Sequence, residues 1–303
     1  MLMKKRFFFL FLLVLALCPL IARAEDGFLY SDCREAVVEH NLEKGPWYYH
    51  SAELALTVCR RDAYHESYVL ADIQSGGPVF YSGFAEGDVN RRSSEMPSRM
   101  ARRYSAVLGV TGDYLRVESN PKGAMIRDGA VYYDGDTGDT LAVLPDGNLA
   151  AYPAGTVRAQ ELLDLGVKDS FAFGPILVLD GAAYEPALTH RLAVENRRTC
   201  LAQISPGHTL AMATNTAFTN AKMQEIFLGL GVDMAYSLDG GHSTAMVFMG
   251  EQLNRQPYLQ RLQLQQRALG DMVFLGESAL CPDMDDPQRY GDPNAIKKQA
   301  ERE

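Results

Sequence analysis

The side chains best suited to chemistry are concentrated in one short loop, Asp239–Thr244, with the sequence DGGHST. This loop places a carboxylate, an imidazole and two hydroxyl groups within six positions. Apolar runs on both sides predict a strand that ends at Leu238 and another that begins at Ala245. The two glycines permit positive φ angles or a close approach of the backbone to a ligand. An ordinary hairpin turn is the alternative, because Asp-Gly is a common turn signal. The density of reactive side chains favours a functional loop.

A second carboxylate, Asp113, has a similar position in the chain. Like Asp239, it lies where an apolar run, here Tyr104–Val110, runs out into a loop that contains glycine. Two carboxylates brought together can divide the roles of acid and base or of acid and nucleophile, as glycosyl transfer requires. Two ordinary turn aspartates are the alternative interpretation.

Other polar residues offer weaker signals. The cluster Asn196–Thr199 contains two arginines, and a guanidinium there could bind a phosphate or a carboxylate, although surface arginines are common. His242 could move a proton or bind a metal, or it could be a packed loop residue. Ser243 beside His242 suggests a serine hydrolase, but the G-x-S-x-G motif is absent and neighbouring residues seldom face each other as nucleophile and base.

The elements that must position these residues are mostly short strands separated by turn signals. One amphipathic helix directly precedes the functional loop, since Met223, Ile226, Phe227 and Leu230 form one apolar stripe that Gly231 ends. The pattern predicts an α+β fold, with a mixed sheet of many short strands and a few packed helices in one main domain.

Composition and the first residues predict export. The 303-residue chain is 47% hydrophobic and 22% charged, which permits a full core. Residues 1–24 combine a basic start, an apolar run and Ala22-Arg23-Ala24, which predicts a cleaved signal peptide, with an uncleaved membrane anchor as the alternative. We expect an N-terminal extension at 25–66, the main domain at 67–278 and a polar tail at 279–303. The mature protein is predicted to be secreted or periplasmic, without a membrane span.

Charge and cysteine content narrow the functional classes. Removing the four basic residues of 1–24 leaves 25 basic against 38 acidic residues, a net charge of about −13, which disfavours nucleic acid as a partner. Four cysteines remain and allow three pairings; we favour Cys33–Cys59 and Cys200–Cys281, with free thiols as the alternative. The sequence contains no C-x-x-C motif, and its cysteines are too scattered for a zinc site.

Six motifs, taken in order over about residues 68–276, resemble the phosphodiester glycosidase domain family. They are Thr111-Gly-Asp-Tyr114, Met125-Ile-Arg-Asp-Gly129, Phe173-Gly-Pro175, Asn196-Arg-Arg-Thr199, Leu238-Asp-Gly-Gly-His-Ser243 and Arg267-Ala-Leu-Gly-Asp271. This family includes the catalytic domain of the uncovering enzyme, which removes N-acetylglucosamine from a sugar-phosphate diester. The resemblance implies hydrolysis of the glycosidic bond of a sugar-1-phosphodiester in an envelope or extracellular glycan.

The resemblance also implies a set of site residues. Asp113 and Asp239 are the candidate catalytic carboxylates, and Arg198 matches the motif arginine and would hold the phosphate. The candidate substrate-binding residues are Thr111, Gly112, Gly174, Asn196, Gly240, Gly241, His242 and Ser243. The sequence requires no cofactor, but two aspartates and His242 could hold a divalent cation.

The chain departs from the family pattern at four places: Thr111, Arg197, His242 and the segment Thr214-Asn215-Thr216, where relatives carry Asp-Gly-Arg. These departures leave a second hypothesis open: a catalytically impaired protein on the same scaffold that binds glycans or assists exopolysaccharide assembly.

Overall fold

The computed structural model describes residues 37–39, 46–63, 65–87, 93–115, 122–254 and 266–281. The predicted signal peptide, Cys33 and most of the predicted tail lie outside these residues. The strands, in chain order, are β1 (Val37–Glu39), β2 (Trp47–His50), β3 (Leu54–Ala63), β4 (Glu66–Ser75), β5 (Phe80–Phe84), β6 (Ala106–Thr111), β7 (Ala124–Arg127), β8 (Ala130–Asp134), β9 (Thr140–Val143), β10 (Leu149–Tyr152), β11 (Asp169–Phe171), β12 (Ile176–Leu179), β13 (Ala182–Ala183), β14 (Thr199–Ser205), β15 (His208–Thr214), β16 (Met234–Leu238), β17 (Met246–Phe248), β18 (Glu251–Gln252) and β19 (Asp271–Glu277).

The helices are few and short. They are α1 (Pro97–Arg103), α2 (Ala159–Asp164), α3 (Pro186–Thr189) and α4 (Asn220–Gly229), with single 3₁₀ turns at Ala85–Gly87 and Gly241–Ser243.

The strands form three sheets. The first has nine strands in the order β1-β2-β3-β4-β15-β14-β16-β12-β13, the second has the order β10-β9-β11-β7-β8, and the third has the order β18-β17-β6-β19-β5. All the strand pairs in these sheets are antiparallel.

The predicted α+β fold with a mixed sheet is therefore wrong, since the protein is mostly β. Antiparallel neighbours can be joined by tight turns, whereas parallel neighbours need long crossovers that usually contain a helix. The turn signals between short apolar runs fit the first arrangement. The long hairpin of β3 and β4 shows this, because it pairs ten residues of each strand across a short connection.

Local sequence signals account for several of these elements. The Pro145–Asn148 turn joins β9 and β10 as an antiparallel hairpin. Helix α4 is capped by the Thr219 hydroxyl, which accepts a hydrogen bond from the Lys222 amide at 3.2 Å. Of the predicted apolar stripe, Met223 and Phe227 are fully buried against the nine-stranded sheet, Ile226 is partly buried, and Leu230, which follows the last residue of α4, is 38% exposed.

The predicted disulfide between Cys200 and Cys281 is not formed. Both are free, buried thiols, and they belong to separate hydrophobic clusters, Cys200 beneath α4 and Cys281 in the central core. Cys59 is also a free thiol, while its predicted partner Cys33 lies outside the described residues. Among the described residues, no helix is both long enough and apolar enough to cross a membrane.

Candidate active site

The ends of three strands meet beside one open pocket. Asp113 follows β6, Asp239 follows β16 and Asp271 begins β19. The pocket encloses about 260 Å³, counting the solvent in its open mouth. It is lined by Thr111, Asp113, Tyr114, Leu115, Asp239, Ser243, Arg267, Ala268, Leu269 and Gly270. The structure thus brings the two predicted carboxylates into one cavity, although 126 positions separate them in the sequence.

Asp113 is held in a buried cluster that joins two of the sheets. Arg127, at the end of β7, donates from Nη2 to Asp113 Oδ2 at 2.9 Å and to Asp271 Oδ2 at 2.8 Å. The amide of Ala172 donates to both Asp113 oxygens, at 3.0 and 3.1 Å. The Arg127 guanidinium also lies 4.1 Å from the centre of the Phe171 ring, which covers its face. These contacts fix the position of the Asp113 carboxylate.

Asp271 completes this cluster. Its carboxylate accepts the amide of Asp113 at 3.2 Å, and burial raises the pKa of its carboxyl, with the charge of Arg127 opposing the shift. A Cβ atom on Gly112 would lie 2.6 Å from Asp271 Oδ2, so the position requires glycine for this close contact. Gly112 therefore leaves room for the cluster.

Thr111 fastens the functional loop to β6. Its hydroxyl donates to the Ser243 carbonyl at 2.6 Å and accepts the Ala245 amide at 2.9 Å. Thr111 is fully buried, so both bonds are shielded from water. The loop crosses from β16 in the nine-stranded sheet to β17 in the third sheet, and this clamp sets its position.

Asp239 is the half-buried carboxylate of the pocket. Its Oδ1 accepts the Gly240 amide at 2.8 Å, and its own amide donates to the Gly112 carbonyl at 3.0 Å. Burial raises the pKa of Asp239 to about 6, while the Ser243 hydroxyl, the Gly240 amide and the charge of Arg267 act in the opposite direction. Such a carboxylate can exchange a proton near neutral pH.

Two arginines lie beside the functional loop. Arg197 donates from Nε to the Gly241 carbonyl at 3.0 Å, and Arg267 lines the pocket. Burial and the charges of Arg197 and Arg267 lower the pKa of His242, which favours the neutral imidazole. This side of the site can therefore receive an anionic group.

Arg198 has a different environment from Arg197. Its buried guanidinium donates to the carbonyls of Phe218 at 3.1 Å, Leu192 at 2.7 Å and Val194. It does not line the pocket, and its predicted contact with phosphate stays a prediction.

Asn196 lies next to the loop rather than in the pocket. A Cβ atom on Gly241 would lie 3.2 Å from Asn196 Nδ2, and one on Gly240 would overlap the Arg197 carbonyl. The two glycines thus allow the loop to pack closely on the segment that carries Asn196 and Arg197, and Gly241 also has a φ of 62°.

Gly174 lies two residues before β12, near the hydroxyl of Tyr236 in β16. It has a φ of 69°, and a Cβ atom there would lie 3.7 Å from the Tyr236 hydroxyl. That hydroxyl donates to the carbonyls of Asp139 at 2.8 Å and Phe171 at 3.2 Å. Gly174 does not line the pocket, so its predicted role in substrate binding stays a prediction.

Sequence reasoning did not identify Arg127, Asp271 and Arg267 as site residues. All three lie within the motifs Met125–Gly129 and Arg267–Asp271, so the motifs carried the signal. The sequence could not show that the fold brings both motifs into contact with Asp113. Among the described residues, no group of three or more His, Cys, Asp or Glu side chains could hold a metal ion.

Comparison with known proteins decides the family. Residues 104–275, more than half of the chain, match the phosphodiester glycosidase family. The chain belongs to this family. The matched segment begins just before β6 and ends within β19, so it contains all the residues that line the pocket. Membership of the phosphodiester glycosidase family supports a glycosidase-type function.

The chain is also similar to two individual proteins, one by sequence and one by fold. The SPbeta prophage-derived uncharacterized protein YomE of Bacillus subtilis (strain 168) is 31% identical over 182 residues, which are 55% of this chain and only 28% of YomE. The solved catalytic domain of zebrafish N-acetylglucosamine-1-phosphodiester alpha-N-acetylglucosaminidase, auto-inhibited by its pro-peptide, matches with a TM-score of 0.59 at 14% identity. That match covers 80% of this chain and 88% of the zebrafish domain, and it shows a shared fold.

Proposed function

We propose that the protein hydrolyses the glycosidic bond of a sugar-1-phosphodiester in an envelope or extracellular glycan. The observation that carries this proposal is the pocket that joins Asp113 and Asp239 with Arg267 in a phosphodiester glycosidase domain. Cleavage at the anomeric carbon needs a carboxylate near the developing oxocarbenium charge and a cation near the departing phosphate. The pocket holds both kinds of group.

The environments of the two carboxylates suggest how they differ. Asp113 is fixed by Arg127 and Ala172 and is suited to electrostatic stabilisation of the oxocarbenium charge. Asp239 lines the pocket and is half-buried, and a pKa of about 6 lets it act as a base or as a nucleophile once it is ionised. A phosphodiester leaving group needs little protonation, so both of these roles call for the ionised form.

Arg267 is proposed to hold the phosphate within the pocket, and Arg197 and the neutral His242 are proposed to assist it from the adjoining loop, outside the pocket lining. Arg267 lines the pocket, and Arg197 lies against the loop at Gly241. A guanidinium can bind two phosphate oxygens at once, which would orient the leaving group.

The test is hydrolysis by purified protein of a panel of sugar-1-phosphodiesters. The panel includes N-acetylglucosamine-1-phosphodiesters, the substrate class in the name of the zebrafish enzyme. We expect release of free sugar from at least one diester, and loss of that release in Asp239→Asn. This variant should fold well, because a neutral amide costs less to bury than a carboxylate. Well-folded protein that releases sugar from no member of the panel contradicts the proposal.

The same panel separates the alternative functions. Binding of a diester without turnover, retained in Asp113→Asn and Asp239→Asn, would instead support the catalytically impaired glycan-binding protein. Turnover that a chelator abolishes and a divalent cation restores would support a metal-dependent hydrolase.

A further inference from the structure

The buried cluster that holds Asp113 contains more acidic than basic groups. Asp113 and Asp271 are both buried, and within the described part of the chain Arg127 is the one cation that forms an ion pair with either of them. Two ionised carboxylates would therefore leave one negative charge unbalanced in the interior. Burying an unpaired charge is costly, and a buried carboxyl avoids this cost by keeping its proton.

The contacts of Asp113 favour its ionised form. The Ala172 amide donates to Oδ1 at 3.0 Å, and Arg127 Nη2 donates to Oδ2 at 2.9 Å. Each carboxylate oxygen thus has a hydrogen-bond donor. Donors stabilise the negative charge of a carboxylate, so the proton of the cluster is not expected on Asp113.

Asp271 has a different set of contacts. Its Oδ2 accepts two hydrogen bonds, from Arg127 Nη2 at 2.8 Å and from the Asp113 amide at 3.2 Å. Its Oδ1 is buried and has no hydrogen-bond partner among the described residues. Gly112 lies close to this oxygen, since a Cβ atom there would be 3.1 Å from Oδ1. An ionised carboxylate carries charge on both oxygens, so ionisation would place charge on an oxygen without a donor.

The surroundings of Asp271 determine how readily it ionises. Burial raises the pKa of Asp271 to about 7; the charge of Arg127 opposes this shift, and the charge of Asp113 adds to it. Arg127 comes from β7 and Asp113 follows β6, while on β5 the ladder partner of Asp271 is the uncharged Phe84. One cation thus faces two acids, and the acid with the unpartnered oxygen is the better place for the proton.

We propose that Asp271 is a positioning residue that keeps its proton on Oδ1 and acts on Asp113 through Arg127 and the Asp113 amide. The buried cluster then contains one cation and one anion, and the neutral Asp271 still accepts both hydrogen bonds at Oδ2. Asp113 stays ionised at a fixed place in the pocket wall. The kinetic consequence rests on the proposed function, in which Asp113 stabilises the oxocarbenium charge.

Unfolding of Asp271→Asn and of the wild type between pH 5 and pH 8 tests the proton. Asparagine has nearly the shape of a protonated aspartate and can accept both hydrogen bonds at one oxygen. The folded-state pKa of Asp271 lies above the usual 3.8, so the stability that its carboxyl contributes is complete below about pH 4 and is lost as the pH rises through about 7. The titration of Asp239 is common to both proteins and cancels in their difference.

We therefore expect Asp271→Asn to gain stability relative to the wild type as the pH rises from 5 to 7. The gain corresponds to a change of up to about tenfold in the ratio of the two unfolding constants for each pH unit, and it should level off above pH 7. A difference that stays constant over this range, or that moves against the variant, shows that Asp271 is ionised throughout and overturns the proposal.

Glu95→Gln is the matched control. Glu95 is a buried carboxylate with donors on both oxygens, because Arg103 Nη2 lies 2.9 Å from Oε1 and the Glu86 amide lies 2.8 Å from Oε2. Removing its charge should make the protein less stable than the wild type at both pH 5 and pH 8. If Glu95→Gln and Asp271→Asn respond to pH in the same way, the unpartnered Oδ1 does not decide where the proton lies, and the proposal fails.

Kinetics separate positioning from packing. On a hydrolysed diester, Asp271→Asn should keep the kcat of the wild type, because it keeps the acceptor for Arg127 and for the Asp113 amide. Asp271→Ala removes that acceptor, so kcat should fall, by about 100-fold if Asp113 moves by about 1 Å, while KM changes little. A kcat of Asp271→Asn that falls as far as that of Asp113→Asn overturns the proposal, and this comparison holds even if Asp271→Ala does not fold.

Infrared difference spectroscopy separates this inference from the proposed function. The spectrum of the wild type minus that of Asp271→Asn at pH 5 should contain the carbonyl stretch of one protonated carboxyl. That band, in a protein that hydrolyses no diester, would support the protonated Asp271 and contradict the proposed function. A spectrum without the band overturns the assignment of the proton, whether or not hydrolysis occurs.

Discussion

Replacing Thr111 with valine should weaken both the fold and the site, because the Thr111 hydroxyl makes two buried hydrogen bonds between the end of β6 and residues 243–245. Valine keeps the shape of threonine but removes the donor to the Ser243 carbonyl and the acceptor for the Ala245 amide. Leaving a buried polar group unsatisfied costs about 1–3 kcal/mol. Because Thr111 is only 1% exposed, leaving both groups unsatisfied should lower the free energy of unfolding by about 3 kcal/mol or more.

The measurement is urea unfolding of Thr111→Val beside the wild type. We expect a lower midpoint with an unchanged slope, and a fall in Tm of about 6–12 °C for 3 kcal/mol. Because the loop carries Asp239 and Ser243, kcat/KM on a hydrolysed diester should fall roughly 100-fold if the loop shifts by about 1 Å.

Thr209→Val is the matched control. Thr209 is 2% exposed on β15, and its hydroxyl has no hydrogen-bond partner within the described part of the chain. Removing that hydroxyl should leave stability equal or slightly higher. If Thr111→Val and Thr209→Val change stability and activity to the same extent, the clamp between β6 and the loop does not have the role that its geometry indicates.

Three further predictions concern charge. In the wild type, kcat/KM should rise with pH through about 6 as Asp239 ionises. A kcat/KM that does not rise through this pH range would contradict the proposal that Asp239 reacts in its ionised form. Arg267→Gln should raise KM and shift the rise of kcat/KM to higher pH, because the charge of Arg267 lowers the pKa of Asp239. If that rise stays at the same pH, Arg267 does not act on Asp239 in the site. Arg127→Met should cost about 3–5 kcal/mol in chemical unfolding, because it leaves two buried carboxylates without their shared partner. Arg158→Met, which breaks an exposed pair with Asp134, should cost about 1 kcal/mol or less, and equal losses would contradict the importance of burial.

Ionisation of Asp239 should also affect stability. Its pKa is higher in the folded protein than its usual value of 3.8, so the folded state favours the protonated form. The stability that this carboxyl contributes is complete below about pH 4 and is lost as the pH rises through about 6. Asp239→Asn should therefore be at least as stable as the wild type at pH 7, as thermal unfolding can measure. A lower Tm for the variant at pH 7 would contradict this account of the Asp239 environment.

Much of the local structure follows from sequence pattern. The apolar run before Asp239 forms β16 with the predicted end at Leu238, and the helix predicted before the functional loop forms α4, which ends one residue before Leu230. Local signals succeed here because strand alternation, helix caps and glycine turns depend on neighbouring residues. The direction in which strands pair depends on distant parts of the chain, so the predicted mixed sheet was wrong.

In the candidate site, too, the local features follow from the sequence and the contacts between distant residues do not. The sequence determined which motifs matter, through the reactive loop at 239–244 and the glycines that let it fold closely. Only the tertiary structure decided which side chains meet. It placed Arg127 between Asp113 and Asp271. It also directed Arg197 to the Gly241 carbonyl in the functional loop, while Arg198 binds the Phe218 carbonyl away from that loop. The physical reason is that neighbouring residues in extended backbone face opposite sides, and only the packing of three sheets determines what lies on each side.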